Sequence, residues 1–209
     1  MMAPPAPALL AGLIGAGIQR SLTPAMQEAE AAAHGLRLHY QRIDLDRAGI
    51  GVDALPTLLR AARWMGFAGL NITYPCKQAV IPLLDGLSDE ARAMGAVNTV
   101  VFRDGRAIGH NTDGSGWRWG FERMLPTADL SCVVLLGAGG AGAAIGHALM
   151  GMPTGVLRIV DAEADRARAL ASQLCAQYGG RRTVAVASAT EALRGASGLV
   201  HATPTGMDK

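Results

Sequence analysis

The chain has 209 residues, room for one large domain or two small ones. Half of its residues are hydrophobic and 17% are charged, which excludes a disordered chain. Lys and Arg number 19 against 17 acids, with no cationic half, so nucleic acid is excluded as an expected partner.

The first 19 residues are uncharged and apolar. They lack the basic start of a signal peptide, and Pro4, Pro5, Pro7, Gly12, Gly15 and Gly17 would break a helix. They read as a short disordered lead and then a buried strand over residues 11–14. Thr23 can cap a helix that opens at Pro24, runs to about His34 and ends at Gly35. Residues 38–43 read as a strand, and Asp53 can cap a helix over 54–65 closed by Gly66. A short buried strand over 69–72 leads into a turn at 73–75 and a short helix, and Ser88 caps another helix to about Met94. Residues 97–102 and 107–109 form an expected hairpin around Asp104-Gly105. A helix from Asp113 to about Leu125 follows.

A composition shift near 126–131 suggests a boundary there, with an N-terminal α/β domain over 1–126 and a second domain over 127–209. The apolar run 132–136 reads as a strand covered on both faces. After it come a Gly-rich turn, a helix to Met150, a strand over 156–160, a helix over 163–178, a strand over 183–187, a short helix and a strand over 198–202. Alternating strands and helices predict an α/β fold with a doubly wound parallel sheet. Gly is 27 of 209 residues, which implies tight turns, and aromatics at 4% leave the core to Ala, Val, Leu and Ile. Cys76, Cys132 and Cys175 are too far apart for a CxxC or zinc pattern, so no metal is expected and a reducing cytoplasm fits. No unbroken apolar run long enough for a membrane span is present.

Gly137-Ala138-Gly139-Gly140-Ala141-Gly142 is GxGxxG between a strand and a helix. The first Gly permits the turn, the second lets the backbone approach a pyrophosphate, and the third lets helix and strand pack closely. Asp161 ends the next strand, where an acid meets ribose hydroxyls in a dinucleotide fold. A carboxylate there accepts from a 2′-OH and repels a 2′-phosphate. The first cation after it is Arg166, so NAD is the expected cofactor. Glu163 and Asp165 read as helix N-terminal charges.

Polar residues gather at the ends of other elements: Asn71-Ile72-Thr73 through Lys77, Asn98-Thr99 and Asn111-Thr112-Asp113. Lys77 is the only Lys before Lys209 in a chain that otherwise uses Arg. A Lys amine titrates where a guanidinium does not, so beside Asp113 it could exchange the proton of an alcohol being oxidised. From these residues alone, a solvated helix charge at Lys77 and an N-cap at Asp113 are equally compatible.

Together with Ser21-Leu22-Thr23-Pro24, Gly95-Ala96-Val97-Asn98-Thr99, the Gly-rich turn, and Ala202-Thr203-Pro204 with Gly206-Met207, these segments resemble the shikimate dehydrogenase family. They are most similar to its NAD-dependent quinate/shikimate branch. The resemblance implies a substrate domain and a Rossmann domain. It implies Lys77 and Asp113 as the catalytic pair, and Ser21 and Thr23 on the substrate carboxylate. Thr73, Asn98 and Asp113 would hold ring hydroxyls. Gly137, Ala138, Gly139, Gly140, Ala141 and Thr203 would hold the cofactor, with Asp161 and Arg166 at the adenosine ribose. The partners implied are quinate or shikimate, neither nucleic acid nor membrane, with homodimerisation left open.

The sequence departs from the family at His201, where Asn is usual, and at Thr23, where strict shikimate enzymes carry Ser. It stops before the last Rossmann strands, so the strand over 198–202 is expected at a sheet edge with Leu199 and Val200 uncovered. An NADP-linked shikimate dehydrogenase and a non-catalytic dinucleotide-binding fragment are the competing readings.

Overall fold

The computed structural model describes residues 8–180, 182–203 and 205. The first seven residues of the expected lead, together with Pro204, Gly206, Met207 and Lys209, lie outside the described residues. The chain forms two compact units, Met1–Asn111 and Thr112–Lys209.

The first unit holds β1 (Ala8–Gly15), α1 (Thr23–Ala33), β2 (Arg37–Asp44), α2 (Leu45–Ala48), α3 (Leu55–Trp64), β3 (Gly69–Ile72), α4 (Cys76–Ala79), β4 (Gly86–Leu87), α5 (Asp89–Met94), β5 (Thr99–Arg103) and β6 (Arg106–His110). Its six-stranded sheet runs β2-β1-β3-β5-β6-β4. Strand β1 pairs in parallel with β2 and β3, whereas β5 is antiparallel to both β3 and β6. The hairpin turn is Asp104-Gly105, both at positive φ (51° and 72°), as a two-residue turn matching strand twist requires. The core is aliphatic, with Ile14, Leu55, Leu70, Ile72, Val80, Val97 and Val100 all buried.

Three helix starts test the expected caps. Ser88 caps α5 as expected, its Oγ accepting from the Ala91 N–H at 3.2 Å. Thr23 does not cap α1: it is the first helical residue, because Ser21 Oγ two residues earlier accepts the Thr23 N–H at 3.2 Å and donates to Thr23 Oγ1 at 3.0 Å. Asp53 does not cap α3 either. It lies inside a 3-10 turn over Val52–Ala54, and α3 begins at Leu55 without a side-chain cap.

The second unit holds α6 (Asp113–Met124), β7 (Cys132–Leu136), α7 (Gly140–Met150), β8 (Val156–Val160), α8 (Ala164–Tyr178), β9 (Thr183–Ala185), α9 (Ala189–Ala192) and β10 (Gly198–His201). The sheet order β10-β7-β8-β9, parallel throughout, is the first four strands of a Rossmann sheet. Val133, Leu135, Leu149, Leu157, Ile159 and Leu174 form its core. The unit boundary differs from the one expected near 126. Helix α6 belongs to the second unit, because Trp117 packs on that core and Arg118 Nη1 donates to the Gly151 carbonyl at 3.3 Å. Strand β10 is at the sheet edge. Leu199 is 52% exposed there, but Val200 packs against the core, so only Leu199 is uncovered as expected. No helix among the described residues is long and apolar enough to cross a membrane.

His147 is buried in α7, with Nδ1 3.3 Å from the Tyr178 hydroxyl of α8. Burial lowers its pKa below the ordinary 6.5. The folded state therefore binds this proton less readily than the unfolded chain. His147 leaves stability intact above pH 6.5, and stability is lost as pH falls from there through the lowered folded value. Denaturant midpoints at pH 7.5 and 5.5 measure this, and His147→Gln is expected to flatten the difference between them.

Candidate active site

Strand polarity in the first sheet collects the expected substrate residues at one edge. Parallel β1 and β3 end there, antiparallel β5 begins there, and β6 ends there. The segments leaving or entering that edge carry Ser21 and Thr23 after β1, Thr73 and Lys77 after β3, Asn98 before β5 and Asn111 after β6. The loops after β1 and β3 are laced together by Thr73 N–H to Ile14 O and Ala16 N–H to Tyr74 O, both 2.9 Å. A Cβ on Gly15 would lie 2.3 Å from Thr73 Cγ2, so only Gly lets these loops approach so closely.

Asp44, at the end of β2, holds the segment that leads to Ser21. Its carboxylate accepts from Gln19 Nε2 (2.8 Å) and from the backbone N–H groups of Ile18 (3.1 Å) and Gly17 (3.2 Å). It also caps α2 through the Asp46 and Arg47 N–H groups. The Gln19 amide, then the Arg47, Gly17 and Asp46 N–H groups, hold its carboxyl below the usual carboxylate range despite burial. The sequence reading missed Asp44. An Asp directly before the short helix Leu45–Ala48 is the local signal for the cap, but nothing local points to Gly17–Gln19.

Lys77 is half-buried in α4, and its carbonyl accepts the Val97 N–H at 2.8 Å. Asn98 is half-buried, and its Oδ1 accepts from Thr99 Oγ1 at 3.0 Å. Asn111 is buried with its side-chain amide donating to Ala96 O at 3.0 Å. Asp113 lies in the second unit as the first residue of α6. The N-cap there is Thr112, so Asp113 is not the capping residue.

In the second unit, a cleft of about 390 Å³ is lined by Gly137, Asp161, Ser188, His201, Thr203 and Thr205 among others. The glycines of the turn divide by role. Gly137 has φ +98°, and a Cβ on Gly142 would lie 1.9 Å from Gly137 O, so chain packing demands both. A Cβ on Gly139 or Gly140 would meet nothing within 4 Å. Gly139 is the N-cap of α7 and gives no side-chain cap. The helix thus opens on bare backbone at Gly139, Gly140 and Ala141, an arrangement that suits an anion such as a diphosphate.

Asp161 closes this turn. Its Oδ2 accepts the Ala138 N–H at 2.6 Å and its Oδ1 the Glu163 N–H at 2.8 Å. Those bonds, led by Ala138 and helped by the nearby Arg166 charge, hold its carboxyl below the usual range, so it is ionised at neutral pH. Arg166 is absent from the cleft lining and pairs with Glu163 at 3.0 Å. Thr203 Oγ1 is 2.7 Å from His201 Nε2 and donates to Thr205 Oγ1 at 3.0 Å. Ser188, which caps α9, also lines the cleft and was missed by the sequence reading. No cluster of metal-ligating side chains exists among the described residues.

The two classes of glycine separate experimentally. Gly142→Ala is expected to lower the melting temperature. Gly139→Ala is expected to leave it unchanged and weaken dinucleotide binding by roughly tenfold or more in titration calorimetry. Unchanged affinity in Gly139→Ala would make the turn purely structural.

Residues 13–100 match the family pattern described as the shikimate dehydrogenase substrate binding domain. The chain is 56% identical over 200 residues to a shikimate dehydrogenase (NADP(+)) of Streptomyces avermitilis, covering 95% of this chain and 69% of that protein. It is 46% identical to a quinate/shikimate dehydrogenase (NAD(+)) of Corynebacterium glutamicum, covering 95% and 71%. The solved quinate dehydrogenase of Corynebacterium glutamicum in complex with NAD superposes with a TM-score of 0.90 at 46% identity, covering 96% of this chain and 72% of that one. Identity at this level along almost all of its length means that the chain belongs to the shikimate dehydrogenase family of oxidoreductases.

Proposed function

We propose that the chain catalyses the reversible oxidation of quinate or shikimate to the 3-dehydro acid, with NAD as the preferred cofactor, in the cytoplasm. Asp161 is the observation that carries the cofactor preference. It is an ionised carboxylate at the end of β8, on the cleft beside the Gly-rich turn. There it would accept from a ribose 2′-OH and repel a 2′-phosphate. Arg166, the cation that could offset it, is engaged by Glu163. The three cysteines are free thiols, in keeping with a reducing compartment. A second reading, an NADP-linked shikimate dehydrogenase, is favoured by the cofactor in the name of the Streptomyces relative.

In the proposed chemistry a nicotinamide dinucleotide, held by the Gly-rich turn and Asp161, would supply the acceptor for the hydride leaving the substrate carbon. Lys77 takes the proton of the reacting hydroxyl, so that a carbonyl is left, and returns it in the reverse direction. The Asp113 carboxylate accepts from a substrate hydroxyl. Thr23, and Ser21 once its hydroxyl turns from Thr23, donate to the substrate carboxylate near the start of α1, where the helix dipole also favours an anion. Thr73 and Asn98 hold ring hydroxyls. Gly137, Ala138, Gly139, Gly140, Ala141 and Thr203 hold the dinucleotide, and Asp161 holds the adenosine ribose. Arg166 is assigned there as well, once it is released from Glu163.

Titration calorimetry with both cofactors tests the cofactor reading. NAD is expected to bind more tightly, and Asp161→Arg to shift preference toward NADP. Equal or tighter NADP binding by the unmodified protein would overturn it. For the chemistry, Lys77→Met is expected to leave cofactor affinity nearly intact and to reduce turnover roughly 10²–10⁴-fold, the usual range for an acid–base group. Near-normal turnover would make Lys77 a surface charge.

A further inference from the structure

Four polar side chains in the first unit form a connected series that runs from the buried side of β2 to Asn98. Tyr40 Oη is 2.5 Å from Asn71 Oδ1. Asn71 Nδ2 is 3.1 Å from Thr99 Oγ1 and 3.4 Å from Asn98 O. Thr99 Oγ1 is 3.0 Å from Asn98 Oδ1. Tyr40 is 5% exposed, and burial pushes its hydroxyl up to about 12, so it remains a protonated donor throughout the working pH range.

The hydrogen bonds run in one direction, from Tyr40 and Asn71 toward Asn98. The Asn98 carbonyl can only accept, and it already takes the Ile72 N–H at 2.7 Å. The Asn71 atom facing it must therefore be the NH₂. That turns Asn71 Oδ1 toward Tyr40, whose O–H must donate. Thr99 Oγ1 accepts from Asn71 Nδ2 and donates its own hydrogen to Asn98 Oδ1. The Asn98 amide is left with its carbonyl turned to Thr99 and its NH₂ turned the other way.

We propose that Tyr40, Asn71 and Thr99 are positioning residues: their one-way chain of hydrogen bonds fixes the Asn98 amide so that its NH₂, rather than its carbonyl, meets the substrate. This rests on the reading above in which Asn98 holds a ring hydroxyl. An amide N–H donates to a lone pair of a ring hydroxyl and leaves the hydroxyl's one hydrogen for another acceptor. A carbonyl presented instead would take that hydrogen. Tyr40 and Asn71 are 31 residues apart, so this role is set by the pairing of β1 with β2 and β3 and not by any local motif.

The test is the dissociation constant for shikimate by titration calorimetry on the full chain, with the NAD constant as control. Tyr40→Phe removes one hydroxyl, and Thr99→Val replaces a hydroxyl with a methyl. Each is expected to weaken shikimate binding about three- to tenfold, the scale of one lost hydrogen bond, and to leave NAD binding unchanged. Thr99→Ser is expected to restore binding. Tyr40→Phe added to Thr99→Val is expected to do no further harm. Asn98→Ala separates the two layers of the argument. If it leaves shikimate binding intact, or if the unmodified chain binds no shikimate, the underlying reading fails. If Asn98→Ala weakens binding while Tyr40→Phe and Thr99→Val do not, the substrate reading stands and the positioning chain is overturned. Loss of binding in Thr99→Ser equal to that in Thr99→Val would also overturn it.

Discussion

Strand β5 runs antiparallel to β3, with Asn71 opposite Thr99 and the Ile72 N–H donating to Asn98 O at 2.7 Å. Were β5 parallel to β3, Asn98 would stand at the far end of the sheet from Thr73 and Lys77. The inserted antiparallel strand brings its first residues to the edge where β1 and β3 finish. It also returns β6 to the same edge, ending beside Asn111. This is why sites far apart in sequence share one rim. The buried aliphatic layer beneath, from Ile14 to Val100, fixes the register, because a one-residue slip would turn that layer to solvent.

Carboxylates do comparable work in each unit, with different consequences. Asp44 gathers two backbone amides and one side-chain amide from the segment before Ser21, and so orders the approach to α1. Asp161 gathers one amide from the Gly-rich turn and one from the segment after β8. Both are stabilised as anions by N–H donors, and both remain charged at neutral pH. Asp44 is buried, and its donors come from its own unit. Asp161 lines the cleft and keeps lone pairs for a ligand. That difference in exposure, rather than any difference in chemistry, makes one a structural anchor and the other the proposed ribose contact.

Much of the second unit is legible in sequence because its signals are local. The apolar run 132–136, the GxGxxG turn and Asp161 at the next strand end follow one another at short range. Gly137 and Gly142 stand where φ and packing demand them. The first unit is less legible. Thr23 looks like a cap until Ser21 is seen to engage its hydroxyl and its N–H. Helix α6 looks like the end of the first domain because nothing in its own residues states where Trp117 packs. Strand β4 is two residues long and pairs only with β6, too short for any periodicity to show. Lys77 and Asn98 are visible as polar residues at element ends. The Tyr40 chain that reaches Asn98 depends on strand pairing across 31 residues and has no local trace.

In the proposed function, one unit supplies an edge for a hydroxylated carboxylic acid while the other supplies a turn for NAD. A crystal structure of the protein with NAD and shikimate bound tests it most directly. The expected result has the Asp161 carboxylate within hydrogen-bond distance of the adenosine ribose hydroxyls. It also has Ser21 and Thr23 on the substrate carboxylate and Lys77 Nζ on the reacting hydroxyl. A ribose held without Asp161, or a substrate carboxylate bound away from Ser21 and Thr23, would contradict the account.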